Sequence, residues 1–433
     1  MNHLRFTRFL LRCLPIIYSS FFLSIFCGFR VMSSTCIGVI LGFTFLFAIA
    51  DGGRFMKSKR PDFFVIGCAV FYLLQLTALS YTKDLATGVV QIEVKITLLF
   101  VPIALYYSPY LNRDFRNTIM PYYILLLSMV MVFCLGAAAQ KYMVGHDISV
   151  FFHYALVSPF NLHAIYFSIF TFVALIYQLD GVRKQKYLLN RFFHFFVITW
   201  FIVFIILLAS KMVIIFTFFS ILIYLRLSRK RAGIFKTGFV LPVAISAIII
   251  TTLTLTSNPV SSRFKDIFHG KIDLIEQDRF TPGVYFNGVQ FRLLQWKLVA
   301  EILYENNAWL LGVSPGDAQH FLDQKYSSLN MYVGNQSPKS HGYLRYNTHN
   351  EFLESTLQNG IVGLIVFLII CIGLIRMMIQ ADNTDLWIIG TLLLVYCFLE
   401  SIFQTQYGVL IFSFYPLFLY CTTEKLFAKE SAT

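Results

Sequence analysis

Apolar runs of the length that crosses a bilayer, about 20 residues, fill two regions of this chain and leave a polar gap between them. They fall near 13–29, 31–50, 62–80, 89–108, 118–139, 155–179, 192–208, 211–227, 236–256, 361–378, 385–400 and 405–423. The pattern therefore predicts an all-α polytopic membrane protein of about twelve transmembrane helices. One large loop, 257–348, separates spans nine and ten. The stretch from Phe192 to Leu227 is too long for one helix, and Ala209-Ser210-Lys211 interrupts it. It reads as a helical hairpin with Lys211 at its tip. Arg5, Arg8 and Arg12 precede the first run in the manner of a signal peptide. That run flows straight into further spans without a convincing cleavage site, so an uncleaved first helix is expected. The organisation is one integral domain: spans one to nine in 1–256, the loop in 257–348, and a re-entry helix with spans ten to twelve in 349–433.

Composition agrees and adds an orientation. The 433 residues are 57% hydrophobic and 13% charged, against roughly 25% charged in a soluble domain. A formal charge of +13 would point to nucleic acid in a soluble protein. Here cytoplasmic loops obeying the positive-inside rule account for it, and no nucleic-acid partner is expected. With the N-terminus inside, the inner segments hold twenty-one Lys and Arg, clustered at 54–60, 183–191 and 226–236. The short outer loops hold four: Arg30, Lys83, Lys141 and Lys211. Both termini are thus expected inside and the long loop outside. The eight cysteines lie in or beside apolar segments with no metal-ligand spacing, so neither disulfides nor a structural metal is inferred.

The long loop has the marks of an ordered cap. Val289 to Leu303 is amphipathic, with Arg292, Trp296, Val299 and Leu303 at helical spacing. Thr281-Pro282-Gly283, Asn287-Gly288 and Gly312-Val313-Ser314-Pro315-Gly316 mark turns. Asn330 to Asn347 is rich in Tyr, Asn, Ser and Gly, a composition that suits sugar contacts and equally an ordinary surface loop.

His349 stands where this loop returns to the membrane. Thr348 and Glu351 form a capping-box pattern, which predicts His349 as the first residue of a helix ended by Asn359-Gly360. The positive helix end would keep the imidazole neutral, the form a general base needs; the plainer reading is a histidine that merely caps. Arg292 and Trp296, at i and i+4, are either a guanidinium aimed at phosphate with a ring beside it or a surface cation–π pair. Lys211, the only charge between Arg191 and Arg226, either faces an anion or snorkels to the interface. Arg263 is a further phosphate candidate, with membrane-surface contact the plainer reading. Asn350 and Glu354 would orient His349 or an acceptor, or be helix surface. Glu93 and Lys95 enter the fourth span, where interfacial anchoring is expected. His146, Asp147, His153 and His163 read as structural. No nucleotide fingerprint, metalloprotease motif, nucleophile elbow or acidic metal cluster occurs, so no cofactor is called.

Three local patterns together resemble the O-antigen ligase and O-antigen polymerase superfamily of bacterial envelope glycan proteins. Arg292-Leu293-Leu294-Gln295-Trp296 with Gly312 and Gly316 resembles that family's loop stretch. His349-Asn350-Glu351-Phe352-Leu353-Glu354 with Gly360 and Gly363 resembles its re-entry motif. Ser210-Lys211 stands where the family has Ser-Arg. The resemblance implies a glycosyltransferase-C-like, metal-independent inverting enzyme of the bacterial inner membrane with a periplasmic site. Its donor would be an undecaprenyl-diphosphate-linked glycan, and its acceptor a sugar hydroxyl of the lipid A–core type. His349 would be the base, and Arg292 and Lys211 would hold the diphosphate. Lys211 keeps the family's charge and lacks the arginine fork. The ligase type is favoured modestly over the polymerase, whose acceptor is another repeat unit. A transporter or flippase for lipid-linked glycans, or an assembly scaffold, is the alternative from another class. A transporter should show internal repeats and mid-span charges.

Overall fold

Helix starts are marked by short polar side chains that accept the orphan backbone N–H groups of the first turn. Asp62, Asp84, Asn112, Asn190, Asn383 and Thr405 each do so, and the apolar runs follow directly behind them. The computed structural model describes residues 2–50, 52–186, 189–228, 275–334 and 342–423. Among these it is helical, with no strand.

Among the described residues ten helices precede the cap: α1 (Asn2–Phe26), α2 (Arg30–Ala50), α3 (Arg54–Ser58), α4 (Phe63–Thr77), α5 (Leu85–Tyr106), α6 (Arg113–Gly145), α7 (His153–Val157), α8 (Ala164–Lys184), α9 (Arg191–Leu207) and α10 (Lys211–Ser228). Two lie in it, α11 (Gly288–Glu305) and α12 (Ala318–Ser328). Three follow: α13 (Glu351–Ala381), α14 (Thr384–Leu399) and α15 (Gln406–Cys421). Among the described residues eight helices are long and apolar enough to cross a membrane, and α9, α14 and α15 are shorter apolar helices. The protein is thus a polytopic all-α membrane protein. The span expected at 236–256 lies outside the described residues. The sixth run was read from residue 155, yet α8 begins at Ala164. Pro159 sits in a short 3-10 turn, and the His163 ring caps the helix behind it.

The cap has its own core of Phe280, Phe286, Phe291, Leu294, Leu298, Ile302, Leu322 and Tyr326, closed by Leu357 from the first turns of α13. Asn287 opens α11 with a full capping box to Gln290, so the Asn-Gly pair is a helix start rather than a free turn. The buried stripe of α11 is Phe291, Leu294, Gln295, Leu298 and Ile302. Trp296 is 52% exposed, off that stripe.

Cap and membrane helices are joined backbone to backbone. At Asn359 and Gly360 the α13 helix breaks, Gly360 taking φ 64°, and the chain then continues as the membrane helix. The predicted stop is therefore a break within one long helix. Val313 N donates to Leu357 O at 2.8 Å, Ser314 N to Gln358 O at 3.0 Å and Ile361 N to Trp309 O at 2.8 Å. These bonds satisfy carbonyls and an amide that the break frees. Gly312 (φ 72°) and Gly360 lie where a Cβ would collide with the facing backbone of Gln358 and Leu310. Asp317 adds a second anchor, accepting from the backbone of Lys83 and Asp84 at 2.9 Å each.

Candidate functional site

The loop before α13 is shaped by Asn350. Its side chain accepts from Phe352 N at 2.9 Å and Leu353 N at 3.1 Å, which makes Asn350 the helix cap. The Thr348–Glu351 capping box is therefore not formed. His349 lies outside the helix, with φ 47° and its N–H donating to Asn347 Oδ1 at 3.0 Å. The ring therefore does not stand in the first turn of the helix, where the sequence places it.

A different partner holds the ring. His349 Nδ1 lies 3.0 Å from Glu400 Oε2. A carboxylate has no hydrogen to give, so Nδ1–H donates, which leaves Nε2 as the nitrogen able to exchange a proton, the arrangement of an oriented base. Glu400 follows the last turn of α14, and its backbone N–H bonds Tyr396 O at 2.8 Å. Burial raises the carboxyl's pKa. The hydrogen bond and charge of His349, then Arg292, outweigh it, and Glu400 is held below the usual carboxylate range. Glu400 is the residue that the sequence reading missed. The available signal was its isolation, as the one charged residue between Asp385 and Glu424.

Arg292 completes the triad from the cap. Nε and Nη2 donate to Leu399 O at 3.0 and 2.7 Å, Nη1 to Gly288 O at 2.8 Å, and Nη2 reaches Glu400 Oε1 at 3.4 Å. The guanidinium grips the end of α14, so the face-stacked pair with Trp296 does not form. Most of its N–H groups are committed to that grip.

His349 and Arg292 share the wall of an open cleft of about 570 Å³, with Tyr285, Phe286, Phe291, Tyr343 and Tyr346 around them. The Phe291 and Tyr346 ring centroids lie 5.9 and 5.6 Å from that of the imidazole. Aromatic faces beside a few fixed polar groups suit a bulky, partly apolar ligand such as a sugar ring.

The remaining candidates divide. Lys211 opens α10 at the tip of the α9–α10 hairpin, as expected. Ser210 Oγ lies 2.9 Å from the hydroxyl of Tyr396, which ties the tip to the end of α14 that carries Glu400. Asn350 is a cap. Glu354 is a buried clamp: Oε2 accepts from Thr348 Oγ1 at 2.7 Å and Thr348 N at 3.2 Å, while Oε1 accepts from Gln358 at 2.7 Å. Trp296 does not line the cleft. Arg263 lies outside the described residues. Lys95 is fully buried rather than anchored at the interface; Nζ donates to Gln91 and Gln358 at 3.2 and 3.3 Å and feels the charges of Glu351 and Glu354. Among the described residues no group of three or more His, Cys, Asp or Glu side chains is placed to hold a metal ion.

A multi-pass membrane protein with a docked cap and a His–Glu–Arg cluster at their junction is thereby defined. A family model described as O-antigen ligase matches residues 195–368. Over that stretch the chain is similar to the O-antigen ligase superfamily, whose members are glycosyltransferase-like enzymes. The matched stretch contains Lys211, Arg292 and His349. No curated protein matches the chain.

Proposed function

We propose that the cleft transfers a glycan from undecaprenyl diphosphate to an acceptor sugar hydroxyl of the lipid A–core type, on the periplasmic face of the bacterial inner membrane. The observation that carries this reading is the His349–Glu400 pair on the wall of an aromatic cleft. His349 Nε2 takes the proton of the acceptor hydroxyl as its oxygen attacks the anomeric carbon. Glu400 holds the ring and stabilises the imidazolium that forms. The bond from the anomeric carbon to the diphosphate breaks with inversion, and undecaprenyl diphosphate leaves. Lys211, and Arg292 with the N–H it has not committed, meet the diphosphate charge. Arg263 stays in this assignment on sequence grounds alone.

The test is transfer by the purified full chain from an undecaprenyl-diphosphate-linked glycan to a lipid A–core acceptor. Wild type should glycosylate the acceptor, and His349→Ala and Arg292→Ala should insert normally and fail to do so. Full activity of His349→Ala would remove the base from the scheme. Lengthening of the lipid-linked chain in place of acceptor glycosylation would identify a polymerase. Movement of donor across a vesicle without a new glycosidic bond would identify a transporter.

A further inference from the structure

We infer a second binding site, for the phosphate of an anionic ligand, at the opposite end of α14 from Glu400. Asp385 stands in the first turn of α14 and Glu400 just past its last. At 1.5 Å per residue they are separated by about 22 Å, so the two sites stand at opposite ends of one apolar helix, a relation that does not depend on the function proposed above.

The site is a cavity of about 300 Å³ between α6 and α8, closed on one side by His194 of α9. Four cations line it, Arg113, Arg116, Lys184 and Lys186, against the single carboxylate of Asp180. That carboxylate is already engaged: Lys184 Nζ lies 2.5 Å from Oδ2, Arg183 donates twice to Oδ1 at 2.9 and 2.7 Å, and Arg116 Nη2 stands 3.7 Å from Oδ2. Arg116 also faces Asp385 at 3.6 Å. The cavity therefore presents a surplus of positive charge.

A second, independent feature points to a ligand. Gln178 is fully buried, and both Nε2 and Oε1 of its side chain have no hydrogen-bond partner; neither has Arg116 Nε, on a side chain that is 4% exposed. Buried donors left unmade cost about 1–3 kcal/mol each. Both residues line the cavity, and a phosphate there would supply acceptors for Arg116 Nε and Gln178 Nε2. Basic pockets between membrane helices bind phosphate headgroups in this way. Beside Pro121 at its edge, Tyr122, Leu125 and Met129 of α6 are exposed apolar side chains, a surface for acyl chains. A lipid headgroup and free inorganic phosphate share the recognising chemistry.

The purified full chain is titrated with phosphatidylglycerol, cardiolipin, phosphatidylcholine or inorganic phosphate and followed by native mass spectrometry and thermal unfolding. Retained adducts and a raised Tm with the anionic lipids, absent with phosphatidylcholine, are expected. The same Tm rise with inorganic phosphate would also support the site and assign it to the free ion. Arg113→Gln with Lys186→Gln should weaken binding by about 30-fold, taking each surface cation at its usual worth. Lys186→Gln alone, at an exposed position, serves if the pair fails to fold. Equal binding of phosphatidylcholine, no response to any phosphate, or undiminished binding in both variants would overturn the site. None of these readouts uses glycan transfer, so failure here and failure of the proposed function are separable.

Discussion

Replacing Glu400 by Gln isolates what the carboxylate contributes to the cleft. The amide oxygen still accepts from His349 Nδ1, so the ring keeps its orientation, while the charge and the acceptor facing Arg292 Nη2 are lost. When His349 takes a proton, an ion pair replaces the carboxylate–imidazole pair across the 3.0 Å contact. Charge centres about 4 Å apart attract by about 4 kcal/mol at an effective dielectric near 20. The two side chains are 25% and 24% exposed, and screening there reduces the figure to about 2 kcal/mol. That corresponds to a loss of about 30-fold in kcat, with KM little changed because the term arises only as charge develops. The assay is steady-state transfer from the lipid-linked donor. Glu400→Ala should lose more, since it also frees the ring and removes a partner of Arg292. A Glu400→Gln enzyme within twofold of wild type, beside an inactive His349→Ala, would refute the reasoning. So would a loss confined to KM.

The carboxylate also sets a pH dependence: its folded pKa is depressed, so its contribution to stability is complete above the unfolded carboxylate value, about 4.3, and fades as pH falls through the lower folded value. The Tm difference between wild type and Glu400→Gln should shrink as pH falls below about 4; a difference that stayed undiminished at lower pH would contradict the pairing. Gly360→Ala forces a side chain onto φ 64° and against the Leu310 backbone, and should cost about 1–3 kcal/mol from the strained backbone alone, read as a lower Tm and faster proteolysis of the cap. Lys95→Met removes a fully buried cation near Glu351 and Glu354 and should cost about 3–5 kcal/mol; adding Glu351→Gln should recover part of it, and strictly additive losses would argue against the coupling. Trp296→Ala should leave transfer within twofold of wild type, because the ring is half exposed and off the cleft wall; a tenfold loss would return it to the site.

Hydrophobic periodicity made the membrane helices legible because each one is nearly autonomous in lipid, where its backbone must be satisfied internally. The hairpin tip at Lys211 was legible for the same reason, since a polar break in a run too long for one span has few other places to be. What pattern reading missed depends on contacts between distant segments. Thr348-x-x-Glu351 fits a capping box, yet Glu351 Oε2 is taken by Phe403 N at 2.8 Å and Thr348 by Glu354, so Asn350 caps instead. Lys95 looked interfacial because its partners, Gln358 and the two glutamates, come from a helix more than 250 residues later. Glu400 carries no local pattern of its own for the same reason.

These misses converge on one region beneath His349. Thr348, Glu354, Ser401 and the Asn350 N–H form a buried network, with Ser401 Oγ 3.0 Å from Thr348 Oγ1 and accepting from Asn350 N at 3.2 Å. Burying Glu351, Glu354 and Lys95 is costly unless each finds partners, and here the partners come from α5, from Thr348, from the turns of α13 before its break and from the turn after α14. Such a network fixes the turn before α13 and the turn after α14 relative to one another. His349 stands on the first and Glu400 on the second, so the 3.0 Å contact between them is held from below by groups that touch neither ring nor cleft. The backbone staples around Gly312 and Gly360 hold α11, and with it Arg292, to the same junction. Substitutions at Thr348 or Ser401 should therefore lower kcat by loosening the pair while leaving the aromatic wall of the cleft, and so KM, in place.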